Sequence, residues 1–110
     1  MANTFFRKIS SNIGTVANTI GSYTVGGSTT SIVLGLALSN TTGATINASA
    51  FVANGSALVY LVKGAPITTG GTLVVIGGDQ KLVLQTNDNV RVVSDTMNSI
   101  DAVMSIMEIT

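Results

Sequence analysis

Any acid–base or electrostatic chemistry in this chain has to rest on ten side chains: Asp79, Asp88, Asp95, Asp101, Glu108, Arg7, Lys8, Lys63, Lys81 and Arg91. Histidine and cysteine are absent. That removes the commonest general base, the commonest metal ligands and the most reactive nucleophile, and a serine nucleophile would need an improvised base. The four aspartates each lie in or beside a cluster of turn residues, where a short carboxylate caps backbone N–H groups. Asp79 and Asp88 with turn carbonyls are the one combination that would suit a structural Ca²⁺, but the spaced D-x-D-x-D-G ligand loop is missing. Gly77-Gly78-Asp79-Gln80-Lys81 has the glycines and lysine of a phosphate cradle. It runs into a strand rather than a helix, however, and its aspartate would repel phosphate. Asn40, Asn47 and Asn54 begin N-x-[ST] triplets, which arise by chance in a chain this rich in Asn, Ser and Thr. The sequence therefore assigns no catalytic, cofactor-binding or metal-binding residue, and the chain reads as no enzyme.

The scarcity of charge is itself informative. A folded monomer of 11.2 kDa exposes roughly 5,700 Å², and ten charges of zero net sign leave that surface without the repulsion that keeps copies apart. Self-association is the expectation, with a homo-oligomer as the form. Five scattered basic residues make no footprint for nucleic acid. The longest near-apolar stretch, Ile32 to Leu38, falls far short of the roughly 20 residues of a membrane span. The first residues carry no apolar signal region, so synthesis and folding in a cytoplasm are expected, in keeping with the missing cysteines.

Abundant Val, Ile and Thr, with few helix formers, predict an all-β fold of one domain: a single antiparallel sandwich, jelly-roll-like, over residues 19–110, preceded by a short N-terminal arm over 1–18. Strands are expected at 19–25, 30–39, 45–53, 57–63, 72–76, 81–85, 90–94 and 100–109, each bounded by turn residues. The opening segment holds Phe5 and Phe6 beside Arg7 and Lys8. It suits an arm anchored on a neighbouring subunit, or else a first strand of the domain's own core. We take it as an arm, so that deleting residues 1–12 should weaken assembly and spare the β-structure.

Asn54-Gly55 is the strongest turn signal, a type I′ hairpin expected to pair Ala53 with Ser56. One face of that hairpin then carries Ile46, Ala48, Ala50 and Val52 opposite Ala57, Val59 and Leu61. The other carries Phe51, Leu58, Tyr60 and Val62. In the last strand, Ile100, Ala102, Met104 and Ile106 share one face, and Val103, Met107 and Ile109 the other. A sandwich strand needs only one apolar face. The second faces, with Phe5 and Phe6, are the candidate interface residues.

The block Tyr60-Leu61-Val62-Lys63-Gly64-Ala65-Pro66-Ile67, then Gly70-Gly71-x-Leu73-Val74-Val75-Ile76-Gly77-Gly78-Asp79-Gln80-Lys81-Leu82-Val83-Leu84, resembles small virion structural proteins of tailed bacteriophages. So do the opening Ala2-Asn3-Thr4-Phe5 and the closing Ser99-Ile100-Asp101-Ala102-Val103 through Glu108-Ile109-Thr110. Asn87-Asp88-Asn89-Val90-Arg91-Val92 is similar to the G-D-x-[IV]-x-V turn and strand of that group, with Asn87 where Gly is usual. The resemblance implies a virion component assembled in the host bacterial cytoplasm, with copies of itself and a major capsid protein or other virion proteins as partners. A capsid decoration or cement protein, clustered as a trimer and bridging neighbouring capsid subunits, is the first expectation, and a tail, neck or baseplate subunit the alternative. A carbohydrate- or receptor-binding module would need exposed aromatics on a groove, and tryptophan is absent.

Overall fold

A computed structural model describes residues 3–110; Met1 and Ala2, the start of the expected arm, lie outside the described residues. Nine strands form: β1 (Asn3–Ile13), β2 (Asn18–Thr19), β3 (Thr30–Asn40), β4 (Ile46–Asn54), β5 (Ala57–Ile67), β6 (Thr72–Ile76), β7 (Leu82–Leu84), β8 (Asn89–Ser94) and β9 (Ile100–Ile109). All pairings are antiparallel. The first sheet runs β1-β9-β3-β6, with β7 paired to the other end of β3, and the second runs β2-β8-β4-β5. β6 and β7 thus share one position, and the chain crosses repeatedly between two four-position sheets. This is the double Greek key of a jelly roll.

Alternation along the strands builds the core between the sheets. β9 presents Ile100, Ala102, Met104 and Ile106 inward, all buried, and leaves Asp101, Val103 and Ser105 exposed. Val33, Leu36 and Leu38 of β3 and Ile46, Ala48, Ala50, Val90 and Val92 of the second sheet complete the packing. Buried polar groups are paired with one another: among the described residues none lacks a hydrogen bond. Asn40, at the end of β3, donates to the carbonyls of Ala44 and Ile67 and accepts from the Thr42 N–H, tying the 41–45 loop to the end of β5.

Four expectations need correction. The arm is a strand: residues 3–13 pair with β9, from Asn3 opposite Ile109 to Ile13 opposite Ile100. β9 has an open edge, and a strand alternating Phe6, Lys8 and Ser10 inward with Phe5, Arg7 and Ile9 outward satisfies it. The expected strand 19–25 survives only as Asn18–Thr19, because Gly21 and Ser22 adopt positive φ in a short 3₁₀ turn that buries Ile20. Gly21 is required there, since a Cβ would lie 2.6 Å from that of Lys8. The hairpin loop is Gly55-Ser56, with Asn54 opposite Ala57 and only Gly55 at positive φ, as in turns that begin with glycine. That register differs by two residues from the expected one, so side chains near the turn keep their faces. Farther along, however, an irregularity sets Val62 opposite Ala50 on the core side, and β5 continues through Pro66, as an edge strand can.

Candidate functional site

Three of the four aspartates accept from backbone N–H groups. Asp88 accepts from the Gln85 N–H at 2.8 Å and from the Asn54 amide at 2.7 Å, and Asp101 accepts from the Asn12 N–H at 3.1 Å. Asn87, which precedes Asp88, takes φ +73°, a conformation that asparagine and glycine tolerate. Asp95 accepts from the Asn47 N–H, the Thr96 hydroxyl and the Asn47 amide. The Asn47 backbone bond and then the Thr96 hydroxyl hold its carboxyl below the usual value. A carboxyl lowered on folding contributes stability above its unfolded-state value, and that contribution fades as pH falls through the folded one. Melting temperature should therefore decline on acidification below about pH 4, and Asp95→Asn should flatten that decline; parallel slopes would remove Asp95 from the account.

The remaining titratable group of note is inside. Tyr23 donates its hydroxyl to Glu108 at 2.7 Å and accepts from the buried Ser31. Burial, opposed by the Ser31 bond, and then the Glu108 carboxylate push its ionisation above the ordinary tyrosine range. The phenol stays neutral and joins the 20–23 segment to β3 and β9. Phe6 meets the Tyr23 ring edge-on at 5.6 Å between centroids. This cluster fixes one end of the sandwich.

Exposed surface is where the unusual chemistry lies. Residues directly opposite in antiparallel strands share a face, so the register draws the outer face of the first sheet rung by rung. One rung is Phe5, Met107, Ile32 and Val83. Another is Ile9, Val103, Ala37 and Val74. Between them run Arg7, Ser105 and Gly35. Phe5, Ile9, Val74, Val83 and Val103 are 41–68% exposed, so apolar side chains cross four strand positions in water. Beside the second rung is a depression of about 340 Å³ lined by Ile9, Ser11, Ser39, Asp101 and Val103.

The second sheet's outer face carries a smaller patch. Phe51 and Tyr60 are opposite one another with ring centroids 5.1 Å apart, and Lys63 Nζ lies 5.2 Å from the Tyr60 centroid. Leu58 is half exposed beside them, whereas Phe51 is buried. The sequence candidates thus fall in three places. Phe5, Val103, Met107 and Ile109 lie on the first outer face, and Phe51, Leu58 and Tyr60 on the second. Phe6 and Val62 turn inward and pack on the core. Ile9, Val74 and Val83 belong to the first face and escaped sequence reasoning; their alternation within short apolar runs was the available signal.

No protein-family model matches this chain, and no curated protein matches it in sequence. Among solved structures, it is similar to a chain from Bacillus endospore appendages, a family of disulfide-linked pili, at 16% identity and a TM-score of 0.47, covering 100% of this chain and 91% of that one. It is similar also to chains of infectious bursal disease virus, Gt and Gx strains, at 11% and 10% identity and TM-scores of 0.47. Those matches cover 97% and 98% of this chain but 32% of each viral chain, so this chain spans about a third of their length. They are likenesses of chain trace alone. A disulfide linkage is not open to this chain, which has no cysteine.

Proposed function

We propose that this chain is a structural subunit of a virus particle, a decoration or cement protein that stabilises a shell by burying its own surface. The observation that carries the reading is the pair of apolar patches on opposite outer faces of a small, sparsely charged jelly roll. A monomer that acted alone would need neither patch, and solvent-exposed apolar areas of several hundred Å² mark interaction sites. The total exposed area, 5,751 Å², is what a compact monomer of this mass has, so the patches are features of a closed fold and not of a loose one. Two faces pointing away from each other let one subunit bridge two neighbours. The Phe51–Tyr60–Leu58 patch has the aromatic anchor and flanking cations, Lys63 and Arg91, that suit a shell protein. Jelly rolls serve in capsids and in lectins alike, so the fold is analogy here and the surface is the argument.

The test uses particles of the encoding phage made without this chain. They should form, lose their genome at a lower temperature than complete particles, and regain resistance when the purified protein is added back. Protein carrying Leu58→Asp should fail to restore them. Normal shell stability with a tail defect would overturn the decoration role, as would glycan binding by the isolated chain in place of particle binding.

A further inference from the structure

We infer that the outer face of the first sheet binds a second copy of this chain, about a twofold axis that crosses the strands along the Ile9–Val103–Ala37–Val74 rung. The inference deepens the assembly reading by assigning one of its two patches. Arg7 and Asp101 are the charged residues that the register places on this face, and they carry opposite sign. Arg7 stands opposite Ser105, and Asp101 lies one strand across and two rungs along, beyond Ile9 and Val103. The apolar rung is the line midway between them. A twofold axis on that line lays the rung against itself, and it sets Arg7 of each copy over the Ser11 position of the other, one strand spacing of about 4.8 Å from Asp101 and within reach of its carboxylate.

The depression supplies the room. Its volume of about 340 Å³, lined by Ile9, Ser11, Asp101 and Val103, leaves space for a guanidinium stem to lie along the apolar side chains. The carboxylate at its margin has one oxygen on the Asn12 N–H, and the other makes no hydrogen bond among the described residues. A second copy fits better than an unrelated partner because the face has both halves of the contact, and a closed pair with self-complementary patches is the commonest homo-oligomer. Four strands about 4.8 Å apart and about 27 Å long give roughly 500 Å² per copy. Two copies then bury about 1,000 Å², the lower bound of a specific interface. The pair is reversible and concentration-dependent, and it replaces the trimer expected for a decoration protein.

Sedimentation velocity of the purified chain, from micromolar to submillimolar concentration, tests this. The wild type should shift from monomer to dimer. Arg7→Asp and Asp101→Arg each break both symmetric contacts and should weaken pairing by at least about tenfold, while the double variant R7D/D101R should recover it. Val74→Lys, far from both charges and outside the monomer's core, should also abolish pairing with circular dichroism unchanged. A wild type that stays monomeric, a trimer, or a double variant no better than the singles would overturn the proposal. A monomer that still protects particles would do so while leaving the decoration role standing.

Discussion

Ile106→Ala should destabilise the domain by about 3 kcal/mol, the middle of the range for emptying a fully buried β-branched or leucine site. Ile106 is fully buried in the central strand of the first sheet, with Phe6 opposite on β1 and Val33 opposite on β3. Removing its outer carbons leaves a void that three strands border, and strands held by ladders on both sides cannot collapse into it. Thermal melts should show a fall of about 12–15 °C for a domain of this size. Val103→Ala, on the opposite face of the same strand and 41% exposed, should cost less than about 1 kcal/mol when measured at high dilution. Equal costs at the two positions would mean that β9 has both faces packed within one chain, and the outer-face argument would fall.

Deletion of residues 1–12 has the larger effect. As an arm the segment would be dispensable to the fold; as β1 it covers the edge of β9, packs Phe6 against Tyr23 and Ile106, and holds the 20–23 turn through the Ser10 hydroxyl, which accepts from the Gly21 N–H at 2.8 Å. Its loss strips eight paired residues, Asn3 to Ser10, from the ladder and uncovers Met104 and Ile106. The cost is several kcal/mol against a total stability of about 5–15 kcal/mol for domains in general. The truncated chain should lose its cooperative urea transition or show it at much lower denaturant. Retention of the full β-sheet dichroism and the same midpoint would restore the arm.

Most strands were legible because their alternation is local. β3, β4, β6, β8 and β9 fall within a residue or two of the expected runs, since each sets apolar residues at every second position between turn clusters. β1 was not, because its identity depends on a partner nearly a hundred residues away and its inward side sets Lys8 and Ser10 beside Phe6. The segment 19–25 has strand-forming residues, yet packing of Ile20 and Tyr23 against the core outweighs that propensity. Period-2 geometry also forbids Phe5 and Phe6 from sharing a face, a constraint that becomes decisive only once the segment is known to be a strand. Val62 moved inward for a different reason: one extra residue in β5 inverts the side-chain parity beyond it, and nothing in the local sequence marks that position. The two apolar faces of the last strand were correctly read from sequence alone. Which neighbours lie on them depended on strand order, which the sequence does not carry.

The central place of β9 also governs how the protein can be made. The strand that joins β1 to β3 is the final one of the fold, so the first sheet has no middle until residues 100–109 have left the ribosome. β1, synthesised first, waits unpaired with its aromatics exposed, and folding depends on contacts of long sequence separation, the slow kind. A chain terminated before β9 cannot close the sandwich; it leaves β1 unpaired and β3 with an open edge, the state that aggregates or is degraded. Only a chain extended through β9 yields the folded sandwich, and strand order thereby decides which chains reach the folded state.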